Sequence, residues 1–196
     1  MEVRKIVLFT IMVACGSVAA FGAAAVPDRY DDTFRKYSKR YFGPGYDWRY
    51  FKAQGMAESN LDPNAKSWVG ARGLMQLMPT TYKEVVSKNT EFGAINDPEW
   101  NIAAGIYYNK QLFNRWTKES GETDLHRFMF ASYNAGRGTL LRAQDVARSK
   151  QVDPGIWNSI ESVAPNVPRW RHEETLTYVK RIDANLARMD PDGKIQ

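Results

Sequence analysis

Helix-starting signals recur along this chain of 196 residues, whereas patterns typical of strands are nearly absent. Two of these signals, Asp97-Pro98 and Asp153-Pro154, place an acid that can cap a helix before a proline that suits its first turn. The segment 98–116 then carries apolar residues at spacings of three, four or seven, which is the pattern of one buried helix face: Ile102, Ile106, Phe113 and Trp116. We therefore expect a mainly helical fold, with helices that begin at Pro98 and Pro154.

The rest of the chain carries weaker helical patterns and no sign of a second domain. The hydrophobic content of 43% and the charged content of 25% are typical of a globular protein that can bury one core. No internal repeat or linker divides residues 26–196, which are predicted to form a single domain. Its other helices are predicted at about 31–41, 47–58, 80–88, 123–134, 138–149, 154–162 and 171–189.

The first 25 residues have the pattern of an export signal. Two basic residues precede an uncharged apolar stretch at 6–26, so residues 1–25 are predicted to be a signal peptide or an N-terminal membrane anchor. Cleavage after Ala25 is favoured by the small residues before it. A loose lipobox ending at Cys15 and an uncleaved anchor remain open. All three alternatives place the domain outside the cytoplasmic membrane, in the periplasm or cell envelope.

The charge and composition of the chain limit the kinds of partner that it is expected to bind. The net charge of +5 and pI of about 9.3 favour an anionic partner such as a cell-wall polymer or a membrane surface, or serve only solubility. No dense tract of Lys and Arg is present, so nucleic acid is not a predicted partner. Because Cys15 is the only cysteine, no intramolecular disulfide can form and the fold must rest on packing.

The scarcity of histidine and cysteine excludes several reaction types. His126 and His172 are the only histidines, and neither stands in a metal-binding spacing. No metal or other cofactor is predicted. A cysteine nucleophile is lacking beyond the signal, and no nucleophile-elbow sequence supports a serine triad. Catalysis is therefore expected to use carboxyl, hydroxyl and amide groups.

Glu58 is the strongest candidate for such a group. It precedes a glycine-rich run at 70–79, and the apolar residues near it in sequence are Met56, Leu61, Leu74 and Met75. Apolar surroundings raise the pKa of a carboxyl, which would keep Glu58 protonated near neutral pH as a general acid must be. Asp62 is the nearest second carboxyl, but its place before Pro63 favours a cap or turn role.

Four segments in this order resemble the soluble lytic transglycosylases of bacterial cell walls, whose domain is similar to goose-type lysozyme. They are Glu58-Ser59, Gly73-Leu74-Met75-Gln76, Ser132-Tyr133-Asn134-Ala135-Gly136, and Glu174-Thr175 with Tyr178-Val179. A weaker fifth match is Asn101-Ile102 with Gly105 and Tyr107. The resemblance spans roughly residues 45–190 and implies a lysozyme-like helical domain with a catalytic cleft.

The resemblance also implies a reaction on peptidoglycan glycan strands. In this family the β-1,4 bond between N-acetylmuramic acid and N-acetylglucosamine is cleaved, leaving a 1,6-anhydromuramoyl end. Glu58 would act first as acid and then as base, with help from the acetamido group of the substrate. Two rival functions stay open: a goose-type muramidase that uses water, and a wall-binding scaffold without catalysis.

Roles for further residues follow from the resemblance. Ser67, Met75, Gln76, Tyr133 and Tyr178 are expected to bind substrate. Ser59, Gly73 and Asn134 are expected to support the site.

Several of these residues also have a purely structural interpretation. Met75 and Tyr178 could fill the core, and Ser67 could only solvate its loop. Gly73 could allow a turn, the close approach of a sugar, or both. Most of the six tryptophans are expected to anchor the core, whereas Trp68, in the loop after Ser67, could cover a saccharide face.

Overall fold

The structure, a computed structural model, describes residues 26–117 and 124–190. The predicted signal or anchor at 1–25 lies outside these ranges. Within them the chain forms eight α-helices, α1 to α8 in order, with a short 3₁₀ turn at Ala164–Asn166 before the last. The helices are Asp31–Phe42, Arg49–Ser59, Pro79–Lys88, Pro98–Trp116, Leu125–Ala135, Arg137–Ser149, Trp157–Val163 and His172–Met189. The expected mainly helical fold is confirmed.

Helix α4 is the central element of the core. It packs against α1 on one side and α5 on another, and Ile102, Ile106 and Trp116 of its predicted apolar face are fully buried. Its start is also as predicted, since Asp97 Oδ1 accepts the N–H groups of Glu99 at 2.9 Å and Trp100 at 3.2 Å.

The predicted start of α7 at Pro154 is wrong. Asp153 Oδ1 accepts the N–H of Gly155 at 2.8 Å, which closes a turn instead of capping a helix. The helix begins at Trp157, whose N–H donates to Asp124 Oδ2 at 2.8 Å. A cap from a distant part of the chain therefore decides this helix start.

The loop between α2 and α3 is shaped by Asn101 of α4. Asn101 Oδ1 accepts the N–H of Met75 at 2.8 Å, and Asn101 Nδ2 donates to the carbonyls of Arg72 at 3.0 Å and Ile95 at 2.9 Å. Two isolated β-bridges, Lys66 with Arg72 and Arg72 with Leu77, hold the same loop together. One buried amide thus fixes the backbone of a segment that the sequence singled out for function.

Gly73 and Gly105 make room for this arrangement. Gly73 has a φ of 73°, and a Cβ there would lie 2.5 Å from Asn101 Nδ2. A Cβ on Gly105 would lie 2.8 Å from the side chain of Met75. Gly73 is therefore required by a turn and by the close approach of Asn101. The approach of a sugar to its backbone stays a prediction.

The described residues contain no helix that is long and apolar enough to cross a bilayer.

We predict that Gly73→Ala lowers the free energy of unfolding by about 2–4 kcal/mol, through left-handed strain and overlap with Asn101. Urea denaturation measures the change. Gly138→Ala is the matched control, because Gly138 lies inside α6 and a Cβ there meets nothing within 4 Å. It should be neutral or slightly stabilising. Equal stability of the two variants would contradict the proposed role of Gly73.

Candidate active site

Glu58 lies in the last turn of α2, where the chain leaves the helix abruptly. Asn60 and Leu61 both adopt left-handed backbone conformations, with φ of 54° and 62°, and the N–H of Asn60 donates to the Met56 carbonyl at 3.1 Å. Because α2 packs along α8, the Glu58 side chain is held between these helices at a cleft of about 460 Å³.

The environment of Glu58 suits a general acid. Its carboxyl is partly buried, and Tyr178 donates its hydroxyl hydrogen to Glu58 Oε1 at 2.6 Å. Burial raises the pKa of Glu58 to about 8, while the Tyr178 hydrogen bond and the positive charge of Arg181 act in the opposite direction. The acid is therefore mostly protonated at neutral pH, the direction predicted from its apolar neighbours in sequence.

Two tyrosines face this carboxyl and remain protonated. Burial, followed by the nearby Glu58, raises the pKa of both Tyr133 and Tyr178 well above the usual value. Both hydroxyls are therefore hydrogen-bond donors at any physiological pH. Tyr178 uses its hydrogen on Glu58, whereas Tyr133 donates to the carbonyl of Met75 at 2.8 Å.

The cleft is lined from three helices and contains two carboxyl groups, those of Glu173 and Glu174, for which no role was predicted. Its lining residues are Ala57, Glu58, Asn134, Glu173, Glu174, Thr177, Tyr178 and Arg181. The side chains of Glu173 and Glu174 are exposed, and Glu174 pairs with Arg171 at 3.1 Å. Glu174 stands in one of the family motifs, but neither glutamate was predicted as a site residue, because only the packing of α2 on α8 brings these segments close to Glu58.

Asp62 has the turn role that was favoured for it. Its Oδ1 accepts the N–H of Asn64 at 2.8 Å, and the residue is exposed. It is not among the residues that line the cleft. The carboxyl nearest to Glu58 in sequence is thus not the one that shares its cleft.

The remaining predicted residues mostly hold the backbone beside Glu58. Ser59 donates its hydroxyl to the carbonyl of Leu74 at 2.9 Å, which ties the end of α2 to the loop. Ser67 Oγ accepts the N–H of Ala71 at 2.9 Å. Gln76, with a φ of 44°, donates its amide to the carbonyl of Gly73 at 3.0 Å. These bonds are structural, and the substrate contacts expected of Ser67 and Gln76 stay predictions.

Met75 is placed in the core, contrary to the expected sugar contact. Its side chain is fully buried and packs against Gly55 and Gly105. Its N–H donates to Asn101 and its carbonyl accepts from Tyr133. A sugar cannot reach a side chain without exposed surface, so the core-filling alternative describes Met75.

Asn134 stands at the cleft and is exposed. Its Oδ1 accepts the hydroxyl of Thr175 at 2.8 Å, and the Thr175 oxygen accepts the indole N–H of Trp170 at 3.0 Å. The family segments at 132–136 and 174–175 are therefore joined directly. This agrees with the supporting role expected of Asn134.

Two buried amides lie behind Tyr178, and no role was predicted for either of them. Gln54 and Asn109 are fully buried, and Gln54 Nε2 donates to the Tyr178 hydroxyl at 3.0 Å. Gln54 lies four residues before Glu58, which places both on one face of α2. A polar residue on a core-facing position of this helix was the signal that could have revealed it.

The tryptophans divide as expected. Trp116, Trp157 and Trp170 are buried, whereas Trp68 is 90% exposed beside Val69, which is 51% exposed.

No group of three or more His, Cys, Asp or Glu side chains in the described ranges is placed to bind a metal.

Comparison with known proteins agrees with these motifs. Residues 33–155 match the Transglycosylase SLT domain family. Relatives include membrane-bound lytic murein transglycosylase F of Shewanella pealeana, 33% identical over 150 residues, and that of Vibrio cholerae, 32% identical over 151 residues. The alignments cover 76% of this chain but only 29% and 26% of those proteins. The chain thus spans less than a third of the length of these relatives.

Solved structures confirm the predicted lysozyme-like transglycosylase fold. The 70 kDa soluble lytic transglycosylase SLT70 of Escherichia coli matches with a TM-score of 0.64 and 28% identity, over 85% of this chain and 25% of that one. An inactive mutant of lytic transglycosylase Slt from Pseudomonas aeruginosa matches with a TM-score of 0.68 at 24% identity, over 87% and 25% of the two chains, which supports the fold alone. Since the family match at 33–155 takes in more than half of the sequence, including Glu58 and the segment 132–136, the chain belongs to the Transglycosylase SLT domain family.

Proposed function

We propose that this protein is a lytic transglycosylase that cleaves the β-1,4 bond between N-acetylmuramic acid and N-acetylglucosamine in peptidoglycan. The observation that carries the proposal is the partly buried Glu58 carboxyl at the cleft, hydrogen-bonded by Tyr178 at 2.6 Å and with a pKa of about 8. Membership of the family and the names of the relatives support the same reaction.

The first step uses Glu58 as an acid. Its proton passes to the glycosidic oxygen while the bond from that oxygen to C1 breaks. The acetamido group of the muramoyl sugar stabilises the positive charge that develops at C1. Tyr178 stabilises the resulting Glu58 carboxylate, because a hydrogen bond to a charged acceptor is stronger than one to a neutral acceptor.

The second step uses the same group as a base. The Glu58 carboxylate takes the proton of the C6 hydroxyl, and the C6 oxygen bonds to C1 to close the 1,6-anhydro ring. Glu58 ends protonated, as it began, and no water is consumed. One carboxyl is sufficient for this cycle, whereas ordinary glycosidases require two at a defined separation.

Other cleft residues are assigned supporting roles in this proposal. Asn134 and Arg181 line the cleft and offer polar groups to the sugar. Tyr133 keeps the Met75 carbonyl, and with it the loop, beside Glu58. The hydroxyl hydrogen of Ser67 can donate to the acetamido oxygen of the substrate, since Oγ uses a lone pair to accept from Ala71.

We also propose that the protein works in the cell envelope. The substrate lies there, the relatives are described as membrane-bound, and the apolar stretch at 6–26 has the pattern of an export signal. Attachment to the membrane through the N-terminal segment belongs to the same proposal.

We predict that Glu58→Gln lowers cleavage of purified peptidoglycan by at least about a hundredfold, while binding to glycan strands is retained, because the amide cannot transfer the proton. Mass spectrometry of the products should show 1,6-anhydromuramoyl ends for the wild type. Asp62→Asn is the matched control and should retain activity.

Three results would contradict this proposal in different ways. Reducing ends without anhydro products would indicate a muramidase, and Glu173→Gln and Glu174→Gln would then test for a carboxyl that activates water. Unchanged cleavage by Glu58→Gln would remove Glu58 from the mechanism. Binding without cleavage by the wild type would indicate a scaffold.

The pKa of Glu58 predicts an alkaline limit to activity. The acid is protonated below about pH 8, so kcat/KM should fall about tenfold per pH unit above that value. The release of soluble muropeptides, measured across pH, shows where this fall in activity occurs. A fall centred in the usual carboxyl range, below about pH 5, would contradict the assignment of Glu58 as the acid.

Stability supplies a second readout of the same pKa. Because the folded pKa of about 8 lies above the reference value of 4.5, the folded state binds the proton more tightly. Stability contributed by this group is therefore present at low pH and is lost as pH rises from about 4.5 to about 8. Glu58→Gln should lack this decline in denaturation measured across that range.

Trp68 is expected to add binding surface for glycan. We predict that Trp68→Ala weakens binding to insoluble peptidoglycan several-fold, because an exposed indole ring can stack on a sugar face. Thermal stability should change little, since the side chain is 90% exposed. Ile156→Ala, which alters another exposed apolar residue, is the control. Unchanged binding by Trp68→Ala would show that the ring has no part in recognition.

A further inference from the structure

A hydrogen-bonded network of buried polar groups crosses three helices and ends at Glu58. Asn109 of α4 donates through Nδ2 to Gln54 Oε1 of α2 at 2.6 Å. Gln54 Nε2 donates to the Tyr178 hydroxyl of α8 at 3.0 Å, and Tyr178 donates to Glu58 Oε1 at 2.6 Å. Both amides are fully buried, so these bonds do not exchange freely with water.

The direction of every hydrogen bond in this network follows from one backbone carbonyl. Asn109 Nδ2 also donates to the carbonyl of Gly105 at 3.1 Å. A carbonyl can only accept, so the amide nitrogen of Asn109 must face Gly105 and Gln54. Gln54 must then present its oxygen to Asn109 and its nitrogen to Tyr178. Because that nitrogen can only donate, the Tyr178 oxygen accepts, and the single hydroxyl hydrogen is directed to Glu58.

From this geometry we propose that Gln54 is a positioning residue that holds the Tyr178 hydroxyl as a donor to Glu58 Oε1, and so keeps the acidic hydrogen of Glu58 on Oε2. The proposal rests on the proposed function, in which this hydrogen is delivered to the glycosidic oxygen. Without Gln54, the Tyr178 hydroxyl could rotate and accept a hydrogen from Glu58 instead. The acid would then have two competing arrangements, of which one is unproductive.

The arrangement is not explained by stability alone. Asn109 Oδ1 is buried and has no hydrogen-bond partner among the residues that the structure describes. A buried polar atom without a partner is unfavourable, and apolar side chains at 54 and 109 would avoid it. The orientation of the amides is therefore retained at the expense of one unsatisfied oxygen.

The charged and titratable groups around Glu58 come from two helices. Helix α8 presents Tyr178, Arg181, Glu173 and Glu174 to the cleft, and α5 presents Tyr133, whose pKa responds to Glu58. Of these, Tyr178 alone is hydrogen-bonded to both Glu58 and Gln54. A change at Gln54 is therefore expected to reach Glu58 through Tyr178.

The test is a double-mutant cycle with Gln54→Met and Tyr178→Phe on the full chain. Each single variant should lower kcat by about tenfold or more with little change in KM, which is the effect expected from loss of one hydrogen bond to a charged group. The double variant should be no slower than Tyr178→Phe, because Gln54 acts only through the hydroxyl. Independent, multiplicative losses would overturn the proposal.

A titration of Glu58 supplies a readout that does not depend on cleavage. Followed by carbon NMR of labelled Glu, the pKa of Glu58 should rise by about one unit in Gln54→Met, because the neutral carboxyl gains an arrangement in which it donates to Tyr178, while the Tyr178 hydroxyl is no longer fixed as a donor to the carboxylate. An unchanged titration together with reduced kcat would show that Gln54 has only a packing role. If the wild type gave reducing ends, the proposed function would fail, yet this titration would still decide the role of Gln54.

Two further variants separate positioning from folding. Gln144→Met removes a buried amide of the same kind in α6, where its Nε2 donates to the Pro154 carbonyl at 3.1 Å. It should lose stability comparably while leaving kcat and the Glu58 titration unchanged. If Gln54→Met fails to fold, Asn109→Ala serves in its place. It interrupts the hydrogen-bonded network at its other end and should also raise the pKa of Glu58. No shift in that variant would overturn the proposal.

Discussion

The hydrogen bond from Tyr178 to Glu58 joins two helices whose contact residues are 120 positions apart in the chain. It depends on the packing of α2 along α8, which also creates the cleft and removes enough water from the carboxyl to raise its pKa to about 8. The donor and the desolvation act in opposite directions on this pKa. Their balance leaves a group that can release a proton and later take one back, which is what a single acid and base requires.

Around this pair, most of the motif residues act on the backbone. Ser59 and Tyr133 donate to consecutive carbonyls of the loop, at Leu74 and Met75, while Asn101 accepts from the N–H of Met75. A loop without regular strands needs such partners, because buried backbone groups must be hydrogen-bonded. In this chain the short motifs thus largely form a support that ties this loop to the end of α2, where Glu58 lies.

Much of the helical architecture could be read from the sequence, because its signals are local. Asp97 caps α4 as predicted, and the apolar spacing along that helix follows directly from its periodicity. Asp153 failed as a predictor, since its side chain closes a turn and the start of α7 is bound by Asp124, which is distant in sequence. Local chemistry identifies a residue that can cap, but the tertiary contact decides whether a helix begins there.

The sequence by itself determined that Glu58 was the candidate acid, since the scarcity of histidine and cysteine left carboxyl chemistry and the order of the motifs pointed to a known family. Only the tertiary structure decided which groups act on it. It buried Met75, joined Gln54 to Tyr178, and brought Glu173 to the cleft. Burial and hydrogen-bond direction depend on helices that pack together across the fold. The spacing of residues along the chain does not specify that packing.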